Sequence, residues 1–291
     1  MSSLDIAWIG AGKMGLPICK RLKFAGHDVA VLARRRDQEA KLADLAFRIA
    51  DTVPALIRGA DIIFTCVPDD DALAEIVLSD AFNTALPESA TFLEMSTVSP
   101  SISSRVAAHL PKSVVYLRSP VSGSTVMAEA GTLTALVSGP KAGFDALAGV
   151  FSAFTKKAFY LGEAEQARYL KLAINSIVAA TSVLLGEALA FGLKGGLTHE
   201  SMLDVMMQSA VASPLIGYKK DMIISGDYKP AATLNMLMKD LDLLLDAASR
   251  HEALLPINST IRQIYKSAAD RGLGEADFFV LVREIERAVG S

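Results

Sequence analysis

Residues 4–15 read LDIAWIGAGKMG, an apolar run followed by a glycine-rich turn. The run is typical of a buried β-strand, and residues 15–24 continue with the pattern of a helix. Glycines in such a turn let the backbone approach a pyrophosphate closely, and the helix N-terminus stabilises its charge. A turn that binds nothing is the alternative, but its place between a strand and a helix favours dinucleotide binding. The predicted cofactor-binding residues of the turn are Gly10, Ala11, Gly12, Lys13, Met14 and Gly15.

Short apolar runs alternate with segments of helical length as far as residue 162. The strands predicted after the first are Asp28 to Leu32, Asp61 to Val67, Thr91 to Met95, Val114 to Leu117 and Thr132 to Val137. Strands separated by helices form βαβ units and a mostly parallel sheet. Beyond this point the composition is helical from Glu163 to Lys194, and then in the stretches His199 to Ser209, Asn235 to His251, Pro256 to Arg271 and Ala276 to Val289.

These patterns predict an α/β fold with an N-terminal Rossmann dinucleotide-binding domain, a long inter-domain helix and an all-α C-terminal domain. We place the dinucleotide-binding domain at residues 1–162 and the helical domain, for substrate binding and dimerisation, at residues 163–291. The mean hydropathy of +0.35 indicates more apolar surface than one subunit is expected to cover. We therefore expect the subunits to associate.

The composition excludes several classes of protein. With 51% hydrophobic and 21% charged residues the chain is not disordered, and its net charge of −3 provides no basic field for nucleic acid. The longest apolar stretch, Ile177 to Leu193, is interrupted by polar residues and glycines, which favours a buried helix over a membrane span. The 4 histidines stand singly, so no metal site is expected. Two distant cysteines and an N-terminus unlike a signal peptide lead us to expect a cytoplasmic protein.

Three arginines follow the second predicted strand, in the segment LARRR at residues 32–36. NAD-binding domains carry an acidic residue near this point, which accepts hydrogen bonds from the adenosine ribose. Guanidinium groups instead bind a 2′-phosphate in a bidentate manner. We therefore predict that Arg34 and Arg35 bind NADP(H), the preferred cofactor, with the use of NAD(H) left open. The alternatives are a solvated charged loop and an acidic contact from Asp37.

Lys171 and Asn175 lie four residues apart in the longest predicted helix, so their side chains share one face. The residues around them are mostly apolar, and the removal of water lowers the pKa of a lysine. Such a lysine can donate and accept a proton near neutral pH, which predicts a general acid and base at Lys171. A solvated helical lysine without a chemical role is the alternative.

Five segments, taken in order along the chain, resemble one protein family. They are IGAGKMGLPICKRLKFAGH at residues 9–27, MSTVSP at 95–100, SPVSGSTVMAEAGTLTALVSG at 119–139, Lys171 with Asn175, and MKDLDLLLDAA at 238–248. Over nearly the whole chain this set is similar to the β-hydroxyacid dehydrogenase family. That family includes 3-hydroxyisobutyrate dehydrogenase, tartronate semialdehyde reductase and the glyoxylate and succinic semialdehyde reductases.

The resemblance implies a homodimer or a homotetramer, and it implies a role for particular residues. The expected site consists of Lys171 and Asn175 for catalysis, Ser122, Gly123 and Ser124 for the substrate carboxylate, and Val67, Pro68, Thr97 and Lys239 for the cofactor. The implied reaction moves a hydride between the nicotinamide and the carbonyl carbon of a small carboxylate substrate, with Lys171 as the proton donor. An imine reductase and a cofactor-binding reader module without activity are the alternatives, and Lys171 argues against both.

Some residues depart from the family pattern. Arg118 stands where an acidic residue is usual, Ser124 where glycine is usual, and Glu94 where aspartate is usual. Residues 162–168 read GEAEQAR where the family is rich in glycine, and Ile174 stands in the place of an asparagine. The substrate is therefore left open, and we expect a pocket that admits a larger or differently charged molecule than the usual small hydroxyacids.

Overall fold

The computed structural model of the 291-residue chain describes residues 3–33 and 36–290. The chain divides into two compact units, residues 1–171 and residues 172–291, and one helix runs across the division. Because the division falls inside a helix it does not mark a linker. The domain boundary between residues 162 and 163 therefore stays a prediction.

The first unit contains the parallel sheet that the sequence predicts. Its strands are β1 Asp5–Ile9, β2 Asp28–Leu32, β3 Arg48–Ala50, β4 Ile62–Thr65, β5 Thr91–Glu94 and β6 Val115–Arg118. Among the described residues these six strands have the order β3-β2-β1-β4-β5-β6, and every neighbouring pair is parallel. The strand order changes direction between β1 and β4, where Rossmann folds bind ligands beyond the carboxyl ends of their strands. The prediction of a Rossmann domain is confirmed, although the short strand β3 is not predicted from the sequence.

Alternate side chains of the sheet pack on opposite faces. Trp8 and Phe64 stack on one face with their ring centroids 4.8 Å apart, whereas Ile9 and Ile63 belong to the apolar cluster on the other face. Burial of both faces explains why the strands read as continuous apolar runs in the sequence. The helices of this part of the chain are α1 Gly15–Phe24, α2 Arg36–Asp44, α3 Val53–Ile57, α4 Asp70–Val77, α5 Asp80–Ala85 and α6 Pro100–His109.

A second, smaller sheet follows in the first unit. Its strands are β7 Val121–Ser122, β8 Leu133–Val137 and β9 Thr155–Tyr160, and β8 is antiparallel to β7 and parallel to β9. The helices between them in the chain are α7 Thr125–Ala130, α8 Lys141–Ala146 and α9 Ala148–Phe154. Strand β8 is predicted from the sequence. Strands β7 and β9 are not, because β7 is two residues long and the sequence of β9, TKKAFY, begins with polar residues.

The second unit is helical, as predicted. The remaining helices are α10 Gln166–Lys194, which begins in the first unit, α11 His199–Met207, α12 Pro214–Ser225, α13 Leu234–Arg250, α14 Pro256–Ala268 and α15 Val280–Gly290. Helix α12 is not predicted from the sequence, because Gly217 and apolar residues on several sides weaken its amphipathic pattern. Phe278 and Phe279 pack with α10 residues such as Ala179 and Val183 in one apolar cluster.

Helix α10 is the one helix of the described residues that is long and apolar enough to cross a membrane by length and composition, with a mean hydropathy of 1.8. A helix in the core of a globular unit can have the same length and composition. Three of its residues, Ala179, Val183 and Leu189, lie in the apolar core of the second unit.

Candidate active site

The glycine-rich turn connects the carboxyl end of β1 to α1, and close backbone packing requires two of its glycines. Gly10 has a φ of +97°, and a Cβ there would lie 2.2 Å from the carbonyl oxygen of Cys66. A Cβ on Gly15 would lie 2.3 Å from the carbonyl oxygen of Gly10. At Gly12, by contrast, no atom of the described residues other than Gly12 and its two chain neighbours lies within 4 Å of the Cβ position. The open space at Gly12 therefore fits the close approach of a pyrophosphate.

A basic cleft of about 930 Å³ opens beside this turn. The turn lines it with Ala11, Gly12 and Lys13, and the polar lining from α1, α2 and α7 consists of Lys20, Arg21, Gln38, Lys41 and Glu129. Because lysine and arginine outnumber the acidic residue, the cleft fits the phosphates of a dinucleotide. Met14 directly precedes α1 and packs against the apolar core. The predicted phosphate-binding residues Arg34 and Arg35 lie outside the described residues.

Two further predicted cofactor segments meet at the carboxyl ends of β4 and β5. The backbone N–H of Val67, which precedes Pro68, donates to Ser96 Oγ over 2.8 Å. Ser96 in turn directly precedes Thr97. Since β1, β4 and β5 are neighbours, the structure brings Val67, Pro68 and Thr97 to the same edge of the sheet as the glycine-rich turn.

Glu94, the last residue of β5, forms a buried ion pair with Arg168. Its Oε2 accepts a hydrogen bond from Nη2 of Arg168, and its Oε1 accepts the N–H of Ser96 over 2.6 Å. Nη1 of Arg168 donates to the carbonyl oxygen of Ser96, also over 2.6 Å. Burial disfavours the charge of Arg168, but Glu94, Tyr116 and Glu165 together outweigh this effect, so the pKa of Arg168 lies above its ordinary value.

Arg118 takes part in a second buried ion pair. Its Nε and Nη2 donate to Oε1 of Glu165 over 3.0 and 2.6 Å, and its guanidinium lies 4.3 Å from the ring centre of Tyr116. The unusual residues 94, 118, 165 and 168 thus pair with one another inside the first unit. Because Arg118 is paired and only 6% exposed, it gives no reason to expect a differently charged substrate. The wider expectation about the pocket stays a prediction.

The predicted substrate loop turns at Gly123, after strand β7. Gly123 has a φ of +137°, and a Cβ there would lie 2.7 Å from Cδ2 of Leu133. Ser124 is the N-cap of α7, and its Oγ accepts the N–H of Met127 over 3.4 Å. The hydroxyl of Ser124 therefore has a structural role that a glycine could not perform, and Ser122 and Ser124 flank the turn.

Lys171 and Asn175 lie one helical turn apart on α10, and the side chain of Lys171 is partly buried. Nδ2 of Asn175 donates to Oδ2 of Asp240 over 2.6 Å, and Oδ1 of Asp240 lies 3.1 Å from Nζ of Lys239. The structure therefore brings Asn175 and Lys239 together around one carboxylate. Asp240 is not among the predicted site residues, although its place beside Lys239 in a family-like segment is an available signal.

Two family models match the chain. The model described as the NAD binding domain of 6-phosphogluconate dehydrogenase matches residues 5–162. The model described as NAD-binding of NADP-dependent 3-hydroxyisobutyrate dehydrogenase matches residues 166–285. The first model alone covers more than half of the chain.

Individual relatives agree with these matches. The chain is 29% identical to 2-(hydroxymethyl)glutarate dehydrogenase of Eubacterium barkeri over 99% of its own length and 97% of that protein. It is 30% identical to the cytokine-like nuclear factor N-PAC of Anopheles gambiae over 95% of its own length, and spans about half, 49%, of that protein.

A solved structure shows the same fold. The 3-hydroxyisobutyrate dehydrogenase of Mycobacterium tuberculosis with L-serine has a TM-score of 0.86 to this chain at 24% identity, and the match covers 98% of this chain and 99% of that one. Together with the two family models, the glycine-rich turn and the lysine and asparagine of α10 identify the family. The chain belongs to the β-hydroxyacid dehydrogenase family.

Proposed function

We propose that the protein is an NADP-dependent oxidoreductase that interconverts a small 3-hydroxyacid, or another hydroxy acid, and the corresponding semialdehyde or keto acid. The observation that carries this proposal is the pair Lys171 and Asn175, one turn apart on α10, in a chain that also has a dinucleotide-binding turn and a basic cleft beside it. The names of several relatives, such as a 2-(hydroxymethyl)glutarate dehydrogenase, support the same class of reaction.

Lys171 has the central chemical role in the proposed reaction. When bound, a nicotinamide supplies or accepts the hydride at its C4 atom. During reduction Nζ of Lys171 donates a hydrogen bond to the substrate carbonyl oxygen and then transfers its proton to that oxygen. During oxidation the same nitrogen accepts the proton of the hydroxyl group. Asn175, whose amide is held by Asp240, orients the lysine or the hydroxyl.

The loop after β7 is proposed to bind the substrate carboxylate. Backbone N–H groups around Ser122, Gly123 and Ser124 can form a small anion-binding nest. The positive φ of Gly123 is one that glycine adopts readily, and it turns the chain at this point. The Oγ of Ser124 accepts a hydrogen bond in the helix cap, and its O–H group can still donate to the carboxylate.

NADP(H) is the proposed cofactor, with a weaker use of NAD(H). The arginines at 34 and 35 supply guanidinium groups after β2, and Lys13 and Lys41 add positive charge in the neighbouring cleft. Val67, Pro68 and Thr97 are proposed to lie beside the nicotinamide ring. Lys239, which lies 3.1 Å from Asp240, is proposed to reach toward the same cofactor.

Two alternatives have other chemistry. Imine reductases of similar architecture usually replace the catalytic lysine, so Lys171 disfavours that function here. The second alternative is a cofactor-binding module without activity. The relative named cytokine-like nuclear factor N-PAC, of which this chain spans about half, is not named as a dehydrogenase. The same lysine, together with its asparagine partner, argues for an enzyme.

A substrate panel tests the proposal directly. We would follow NADPH oxidation with glyoxylate, succinic semialdehyde and a cyclic imine, and NADP⁺ reduction with 3-hydroxyisobutyrate, L-serine and 2-(hydroxymethyl)glutarate, each with Lys171→Ala as the control. The expected result is turnover of at least one carbonyl or hydroxy acid that depends on Lys171. Turnover of the imine alone, or binding of NADPH without turnover of any compound, would overturn the proposal.

A further inference from the structure

Arg168 joins the first turn of α10 to the carboxyl end of β5. The side chain is 1% exposed. Its Nη2 donates to Glu94, its Nη1 to the carbonyl oxygen of Ser96 over 2.6 Å, and its Nε to Oγ of Ser103 over 3.4 Å. The planar guanidinium thus uses separate nitrogens for a carboxylate, a backbone carbonyl and a hydroxyl, an arrangement that a lysine cannot reproduce.

Ser96 is the residue on which these contacts converge. Its N–H donates to Oε1 of Glu94 over 2.6 Å, its carbonyl accepts from Arg168, and its Oγ accepts the N–H of Val67 over 2.8 Å. The backbone and the side chain of Ser96 are therefore held on three sides. The residue that follows Ser96 is Thr97, and the residue that follows Val67 is Pro68.

Stability alone does not explain a buried ion pair at this point. An apolar pair of similar volume often stabilises a fold as well as a buried ion pair does. An apolar pair, however, cannot bind the N–H and the carbonyl of Ser96 and so fix the direction of the chain on both sides of it. The geometry points to a role in the orientation of the segments at residues 67–68 and 97.

We propose that Arg168 is a positioning residue for the nicotinamide half of the cofactor site. Acting with Glu94 through Ser96, it holds Val67, Pro68 and Thr97 in the arrangement that accepts the nicotinamide ring. The inference rests on the proposed function in one respect, since it takes these three residues to face that ring. It does not depend on which carbonyl compound the enzyme reduces.

Calorimetric titration with two ligands separates positioning from folding. The ligands are NADPH and 2′-phospho-ADP-ribose, which is the same molecule without its nicotinamide. For Arg168→Gln we expect affinity for NADPH to fall about tenfold or more, while affinity for the fragment stays within about twofold. A matched control is Arg118→Gln, which breaks another buried arginine–glutamate pair of the first unit without a contact to Ser96.

Conservative variants keep the test decisive if Arg168→Gln does not fold. Arg168→Lys can keep the charge pair with Glu94 but cannot also reach Ser96 and Ser103, so we expect near-normal stability with reduced NADPH affinity. Glu94→Gln keeps the shape of the side chain but removes its charge, and it should also lower the affinity for NADPH more than the affinity for the fragment. Equal losses for the two ligands, or losses that follow the free energy of unfolding across all variants, would overturn the inference.

The outcome is distinct from a failure of the proposed function, because no carbonyl substrate is present in these titrations. If NADPH binding depends on Arg168 but the enzyme reduces none of the carbonyl compounds, the inference is supported and the proposed function is wrong. If the enzyme reduces succinic semialdehyde but Arg168→Gln binds both ligands like the wild type, the proposed function is supported and the inference is wrong. If the wild type bound NADPH no more tightly than the fragment, the inference would be wrong.

Discussion

The side-chain amide of Asn175 donates from Nδ2 to Oδ2 of Asp240 over 2.6 Å, and this carboxylate is only 8% exposed. A carboxylate can only accept here, so the amide nitrogen of Asn175 faces Asp240. Asp240 therefore fixes which end of the amide is available to the substrate or to Lys171. Its other oxygen lies 3.1 Å from Nζ of Lys239, so one buried group orients two residues of the proposed site.

Asn175 and Asp240 are expected to act as one unit. Because the loss of a hydrogen bond to a charged group is worth roughly 1.5–3 kcal/mol, Asn175→Ala should lower kcat/KM about 10- to 150-fold. Asp240→Ala should lower it by a similar factor. The double variant should be no worse than the more impaired single variant, since both changes remove the same orientation. Strictly multiplicative losses would show that the two residues act independently.

Cofactor preference is expected to depend on Arg34. A bidentate contact between guanidinium and phosphate is charge-assisted, and its loss should raise the KM for NADPH about 10- to 150-fold in Arg34→Asp. The KM for NADH should stay nearly unchanged, because NADH lacks the 2′-phosphate. Steady-state kinetics with both dinucleotides measures this directly. A wild-type enzyme that used NADH better than NADPH would show the assignment to be incorrect.

The parts of the fold that the sequence predicted are those with a strong local signal. The β1–α1 turn is visible because Gly10 and Gly15 are required by local packing, and the buried strands read as unbroken apolar runs. Strand β9 was not predicted because it contains Lys156 and Lys157. Helix α12 was not predicted because Gly217 interrupts its amphipathic pattern.

The site was predicted only in part, because several of its interactions join residues distant in sequence. The spacing of Lys171 and Asn175 could be read as one helix face, but their partners could not. Glu94 and Arg168 are 74 residues apart, and Asn175 and Asp240 are 65 apart. A single sequence shows charged residues without showing which of them pair. Glu94 departs from the family pattern, but the sequence does not show that it is one half of a buried pair with Arg168.

Subunit association is expected through an exposed apolar stripe on α10, formed by Leu170, Ile177, Leu184 and Phe191. These residues recur every seven positions, so they lie along one side of the helix, and Ile177 and Phe191 are 68% and 82% exposed. We propose that this α10 stripe is covered by another copy of the chain. Light scattering should show Leu184→Glu shifted toward the mass of one chain, 30.9 kDa.

The association experiment has a control on the same helix. Lys194→Glu changes a charge at the exposed end of α10 and should leave the wild-type mass unaltered. A wild-type protein that is already a monomer at micromolar concentration would contradict the proposed association.

The buried pair of Lys219 and Asp277 should stabilise the second unit. Nζ of Lys219 donates to Oδ2 of Asp277 over 2.6 Å, and both side chains are at most 2% exposed. Lys219→Met leaves a buried carboxylate without its cation, which should lower the free energy of unfolding by about 3–5 kcal/mol. The neighbouring Lys220→Met, which breaks an ion pair with Asp204 at the surface, should lower the free energy of unfolding far less, because surface ion pairs contribute little to stability. Urea denaturation followed by circular dichroism compares them, and equal effects would contradict the prediction.

The central claim, that Lys171 is the proton donor, is tested most directly by single-turnover hydride transfer at saturating substrate, measured across the range from about pH 5 to pH 10. Lys171→Ala should slow the transfer about 10²- to 10⁴-fold while NADPH affinity stays within a few fold. Lys171→Arg should fail as well, because a guanidinium does not release its proton near neutral pH. A Lys171→Ala enzyme that kept more than about a tenth of the wild-type rate, with only a raised KM, would contradict the account and leave Lys171 as a substrate anchor.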